Sequence, residues 1–202
     1  MISYFDVQIE CNVIENNSET LVVLFPGIGY TCDKALLYYS KILSTEIGFD
    51  VLPLEYGFQI ARKKTINSEE FSIVIRECRD IITKSLNDTY KNIIFIGKSI
   101  GTLIQTAIEE KFVRYNIRNI YLTPVSETVK VGIKKNSLVV SGNCDPMINE
   151  EAVKMLEDNN EIVLKIIDKA NHSLNIKDDV LGTIEALKEV IEIERKFLKN
   201  EL

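Results

Sequence analysis

Two periodicities alternate along the chain. Short apolar runs, rich in β-branched residues and bounded by Gly, Pro, Asn or Asp, occur at Leu21–Phe25, Phe49–Leu54, Ile93–Ile96, Asn119–Leu122, Leu138–Ser141 and Ile162–Ile167. Runs of this length and continuity are the pattern of strands buried on both faces of a parallel sheet. Between them the apolar spacing becomes helical. It predicts helices over 33–46 (Leu36, Leu37, Ile42, Leu43), from a cap at Asn67 or Ser68 to Leu86, over 102–110, around 149–158, and over 178–198. The second of these places Phe71, Ile75, Cys78, Ile82 and Leu86 on one face, and the last turns Ile184, Leu187, Ile191 and Phe197 inward. Asp33 is placed to serve near the cap of the first helix, residues 55–65 read as an irregular connection, and the loose alternation over 3–14 predicts one or two edge strands. Strands alternating with helices along the whole chain predict an α/β fold with a parallel sheet and right-handed crossovers.

Composition narrows the class. At 202 residues, with 46% apolar and 27% charged residues, the chain fits one globular domain spanning 1–202 with a sizeable core. No apolar stretch reaches the roughly 18 residues of a membrane span, and Met1-Ile2-Ser3-Tyr4-Phe5-Asp6 lacks the basic-then-apolar order of a signal peptide. The four cysteines (Cys11, Cys32, Cys78, Cys144) are scattered and the chain has one histidine, which argues against a zinc site and a disulfide framework and for a cytoplasmic setting. A net charge of −6 disfavours general affinity for nucleic acid or anionic membranes. The short basic runs Arg62-Lys63-Lys64 and Lys134-Lys135 read as solvated faces.

Candidate chemistry lies in the loops that follow the strands, since the carboxyl ends of a parallel sheet gather at one edge. The run at 93–96 leads into Gly97-Lys98-Ser99-Ile100-Gly101 and then a helix, the strand–turn–helix context in which G-x-S-x-G means a nucleophile elbow. Asp145 follows the strand at 138–141, and His172 follows the strand at 162–167. A serine hydroxyl is a poor nucleophile unless an adjacent base takes its proton. Imidazole has the pKa for that task, and a carboxylate can fix its tautomer. Asp168, four residues before His172, is the rival for the acid's place. Pro26-Gly27-Ile28-Gly29 follows another strand, so the backbone N–H groups of Ile28 and Ile100 are candidate oxyanion donors. Tyr30, Tyr56, Phe58, Met147 and Ile148 sit in loops that could line a pocket, and their character suits a small acyl or ester group. Without a P-loop or dinucleotide glycine pattern, no cofactor is expected.

These motifs together resemble the α/β-hydrolase superfamily over about residues 20 to 200. Gly97-Lys98-Ser99-Ile100-Gly101 is similar to its elbow, Asp145 and His172 to its acid and base, and Phe25-Pro26-Gly27-Ile28-Gly29 to its oxyanion loop. The resemblance implies an α/β-hydrolase fold, a Ser99–His172–Asp145 triad, and cleavage of a carboxylic ester or thioester of a small-molecule acyl substrate. Two departures show: Pro26-Gly27 stands where the family often has His-Gly, and the short stretch between the strands at 119–122 and 138–141 leaves little room for a lid. The resemblance therefore points to the lidless, dienelactone-hydrolase-like or small-esterase branch, with serine where the dienelactone enzymes use cysteine. The second reading is a hydrolase-like binding or regulatory module without turnover.

Overall fold

Each apolar run becomes a strand because every second side chain meets a core on one side of the sheet and the intervening ones meet a core on the other. The computed structural model describes residues 1–202. Its strands are β1 (Thr20–Phe25), β2 (Asp50–Pro53), β3 (Asn92–Lys98), β4 (Asn116–Leu122), β5 (Ser137–Gly142) and β6 (Ile162–Ile167). They form one six-stranded sheet in the order β2-β1-β3-β4-β5-β6, and every pairing is parallel. The helices are α1 (Ala35–Ile47), α2 (Gly57–Ile60), α3 (Ser68–Ser85), α4 (Ile100–Ile108), α5 (Ser126–Val131), α6 (Glu150–Glu157) and α7 (Val180–Leu198). No helix is long and apolar enough to cross a membrane.

Period-two alternation assigns the strand residues to their cores. Val22, Leu24, Ile94, Ile96, Ile120, Leu122, Leu138 and Val140 pack with residues of α1 and α7 on one face. Leu21, Val23, Phe25, Ile93 and Phe95 pack with α3 and α4 on the other. Further along that second face, Tyr121 and Val139 pack with α5 and α6. The strands are all parallel, but the order in which they are added switches sides between β1 and β3. β2 lies on one side of β1 and β3 to β6 follow on the other, the point where a crevice opens outside the strand ends in sheets of this kind. The β1–α1 and β3–α4 loops flank that point.

Several local expectations are corrected. Residues 3–14 form no strand. Asp6, at φ 55°, folds the segment on itself, leaving single bridges at Ile2–Gln8 and Ile14–Val51. The segment is instead tethered to α3, where Glu77 accepts from the Ser3 hydroxyl (3.1 Å) and the Tyr4 N–H (2.7 Å). Asp33 does not cap α1. It pairs with Lys41 at 3.2 Å, while the Leu36 N–H of the first turn donates to the Tyr30 hydroxyl at 3.0 Å. The 55–65 connection contains the single turn α2. Asn67 caps α3 reciprocally: its side chain accepts from the Glu70 N–H (2.9 Å) and its own N–H donates to the Glu70 carboxylate (3.0 Å). The most buried stripe of α3 runs through Ile73, Val74, Cys78, Ile81 and Ile82, with Phe71, Ile75 and Leu86 at its margin. On α7, Phe197 is buried and Leu187 and Ile191 are partly so, but Ile184 is exposed, because the helix turns Ala186 and Val190 toward the sheet instead.

Candidate active site

The sharpest local geometry in the chain is at Ser99, between β3 and α4. Its backbone adopts φ 56°, ψ −122°, a conformation that a non-glycine residue holds only when its surroundings enforce it. The enforcement is visible on both sides. A Cβ on Gly97 would overlap the Gln105 side chain and lie 2.8 Å from the Gly101 carbonyl group. A Cβ on Gly101 would overlap the Phe25 carbonyl oxygen and lie 2.7 Å from that of Pro26. Only glycines let helix, elbow and β1 approach this closely. The Ser99 N–H donates to the Leu122 carbonyl (3.0 Å), and the Thr102 hydroxyl reaches both the Ser99 carbonyl (2.5 Å) and Thr128 of α5 (2.7 Å). Ser99 flanks α4 without capping it, so its hydroxyl is left for other partners.

That hydroxyl lies 2.8 Å from His172 Nε2. His172 Nδ1 lies 2.9 and 2.8 Å from the two carboxylate oxygens of Asp145. The Asp145 side chain is wholly buried, and its Oδ1 also accepts from the Met147 N–H at 2.8 Å. An ionised carboxylate only accepts, so Nδ1 carries the imidazole proton and Nε2 is left to accept from Ser99 Oγ. Asp168 takes no part: it is exposed and accepts from Asn143 at 2.8 Å. Loops after three different strands thus contribute to one continuous line of hydrogen bonds.

The β1–α1 loop stands opposite. Gly27 and Tyr30 exchange backbone hydrogen bonds of 3.0 and 3.2 Å, and the loop's carbonyls are anchored from below, Pro26 by the Tyr56 hydroxyl (2.9 Å) and Gly27 by the Gln59 amide (2.6 Å). The N–H groups of Ile28 and Ile100 donate to no group of the protein.

A groove of about 360 Å³ opens beside Ser99. Ile28, Ile100 and Met147 line it, together with Ile66, Asn67, Ser68, Phe71, Leu103, Val125 and Glu127. Of the five residues expected to line a pocket, Met147 is at the groove and the other four are not; Ile28 and Ile100, expected as oxyanion donors, line it as well. Tyr56 and Phe58 are about 1% exposed and stack on each other within the core, where Tyr56 supports the oxyanion-loop candidate from beneath. Tyr30 is directed to α1, and the buried Ile148 packs with Ala152 and Leu156 of α6. Sequence reasoning missed the walls supplied by α3 and α5. The capping signal at Asn67 marked where α3 starts, and nothing local marked what that start abuts.

Lys98 is the unusual charge near the site. It is buried beneath the loop, with its ammonium 4.8 Å from the Tyr30 ring centre and no carboxylate within ion-pair distance. Burial pushes its pKa down to about 8, against the opposing influence of Asp145. No group of three or more His, Cys, Asp or Glu side chains is placed to hold a metal ion.

No protein-family model matches the chain, and no curated protein matches it in sequence. Solved structures do match in shape. The Pyrococcus furiosus esterase Pf2001 is similar over 99% of this chain and 90% of its own, with TM-score 0.72 and 15% identity. Est1E from Butyrivibrio proteoclasticus, solved with ferulic acid bound, covers 98% of each chain with TM-score 0.68 and 14% identity. XC6422 from Xanthomonas campestris, described as an α/β serine hydrolase without a lid, covers 92% of this chain and 89% of its own with TM-score 0.64 and 12% identity. Between β4 and β5 this chain carries only the short helix α5, where a lid would otherwise rise. Sheet order, elbow and structural neighbours agree: the chain has the α/β-hydrolase fold in its lidless form.

Proposed function

We propose that this protein is a serine hydrolase that cleaves a carboxylic ester or thioester through an acyl-enzyme. The observation that carries the reading is the unbroken line from Asp145 through His172 to Ser99, with each link between 2.8 and 2.9 Å, ending on a hydroxyl held in a strained turn. In this reading Ser99 Oγ attacks the substrate carbonyl carbon while His172 Nε2 takes its proton, and the carbonyl π electrons move onto oxygen. The N–H groups of Ile28 and Ile100, free of protein acceptors, stabilise that oxyanion. Collapse of the tetrahedral intermediate breaks the bond to the alcohol or thiol, which leaves with the proton from His172. Water then gives a proton to His172, attacks the acyl carbon and releases the acid, returning the proton to Ser99. Asp145 holds the imidazole tautomer and offsets the imidazolium charge in both halves. The esterase description of one structural neighbour, Pf2001, and the ferulic acid bound to another, Est1E, lend support in kind.

Turnover of short acyl esters and thioesters, compared among wild type, Ser99→Ala, His172→Ala and the double variant, tests the proposal. Each single variant is expected to lose several decades of kcat/KM with a native circular dichroism spectrum, and the double is expected to be little worse than either. Activity near wild type in Ser99→Ala, or additive losses in the double variant, would overturn the assignment.

A further inference from the structure

The groove beside Ser99 has strongly apolar walls and one charge. Ile28, Ile66, Phe71, Leu103, Val125 and Met147 supply most of its surface, and its volume of about 360 Å³ is at the small end of ligand sites. Its polar members are unequal. Asn67 is engaged in the α3 cap. The α3 N-terminus, whose dipole would attract an anion, carries Glu69 and Glu70 in its first turn, and Glu70 is paired with Lys63, so that end of the groove holds no unpaired cation. Glu127, exposed in the first turn of α5, is the single charged residue lining the groove, and its carboxylate forms no ion pair and no hydrogen bond within the protein. No lysine or arginine lines the groove; Lys98 lies beneath the β1–α1 loop, facing Tyr30.

Resting on the reading of Ser99 as nucleophile, we propose that this groove binds the apolar arm of a small ester and that Glu127 sets the charge accepted at the arm's far end. An arm ending in an ammonium group is favoured, and one ending in a carboxylate is rejected. An arm end several ångströms from Glu127, at an open and partly apolar surface, feels an interaction of about half a decade to a decade in binding, with opposite signs for the two charges. The combined preference for ammonium over carboxylate is therefore roughly tenfold or more in kcat/KM at low salt, shrinking as ionic strength rises.

Three p-nitrophenyl esters of matched length test this: aminohexanoate, heptanoate and the adipate half-ester. Their kcat/KM values are measured at low and high salt for wild type, Glu127→Gln and Glu127→Lys. The expected result is a wild-type ratio of aminohexanoate to adipate near tenfold or above. That ratio is expected to fall toward unity in Glu127→Gln, to invert in Glu127→Lys, and to be compressed by salt in wild type. If heptanoate is hydrolysed but the ratio is near unity in wild type, or is unmoved by either substitution, the assignment of Glu127 is wrong while the hydrolase reading stands. If none of the three esters is turned over by wild type, it is the hydrolase reading that fails, and this proposal with it.

Discussion

Replacing Glu194 by glutamine is expected to stabilise the protein, by an amount that grows with pH. Glu194 lies on α7, which packs against α1, and it is completely buried. Neither carboxylate oxygen has a hydrogen-bond partner. Ser40 of α1 is near enough to ease the burial, but its hydroxyl donates to the Leu36 carbonyl at 2.9 Å. Desolvation raises the Glu194 pKa from the usual 4.5 to about 8. Because the folded value is the higher one, the native state keeps a proton that the unfolded chain releases across that interval. Stability from this group is fully present below pH 4.5 and is lost as pH rises to about 8. At about 1.4 kcal/mol per unit the full shift corresponds to about 5 kcal/mol, and relaxation around a charged Glu194 reduces this to roughly 2–5 kcal/mol. Glutamine has the same shape and no proton to lose. Its advantage is therefore under about 1 kcal/mol near pH 5 and reaches that range near pH 8. Urea unfolding at the two pH values reads the difference: with a slope of roughly 2–3 kcal/mol per molar, the midpoint rises by about 1–2 M at the higher pH. An equal effect at both pH values, or a less stable glutamine variant near pH 8, would refute the assignment of Glu194 as a buried neutral acid.

Lys98→Met tests the opposite sign. The folded pKa of Lys98 is depressed to about 8, so the native protein carries the burden of an enclosed cation below that pH and sheds it above. The methionine variant is expected to melt at a higher temperature than wild type near neutral pH, with the gain shrinking as pH is raised through 8 toward 10.5; a gain independent of pH would count against this. Gly101→Val drives a branched side chain into the backbone of Phe25 and Pro26, which has little freedom to retreat. A loss of about 3 kcal/mol, or roughly 6–12 °C in melting temperature, is expected together with loss of turnover, and an unchanged melting temperature would show that the elbow is less tightly held than its contacts imply.

What the sequence disclosed follows from where its physics is local. β1, β3 and β5 announce themselves because both their faces are buried, which removes polar residues from the run. The loops carrying Ser99, Asp145 and His172 could be brought to one edge on paper because a parallel sheet collects its strand ends there, whatever the detailed packing. Helix α5 gave no signal: Ser126–Val131 is too short to show helical periodicity. The groove walls Ile66, Phe71, Leu103 and Val125 were equally hidden, since the approach of the α3 start to the elbow is a tertiary fact. Tyr56 and Phe58 show the converse. An aromatic residue after a strand reads as exposed lining until α2 folds over and carries both rings into the core. Glu194 stands among the exposed charges Glu192, Arg195 and Lys196, yet it shares a helix face with the buried Val190, Phe197 and Leu198, and packing of α7 against α1 makes it interior.

The central claim is that Ser99 is an activated nucleophile, and covalent labelling tests it most directly. Folded protein is incubated with a fluorophosphonate, and the adduct is located by peptide mass spectrometry. The account predicts one adduct, on Ser99, formed by wild type, absent from Ser99→Ala and from denatured wild type, and strongly slowed in His172→Ala. Absence of labelling in native wild type at any probe concentration, or equal labelling of Ser99→Ala, would contradict it.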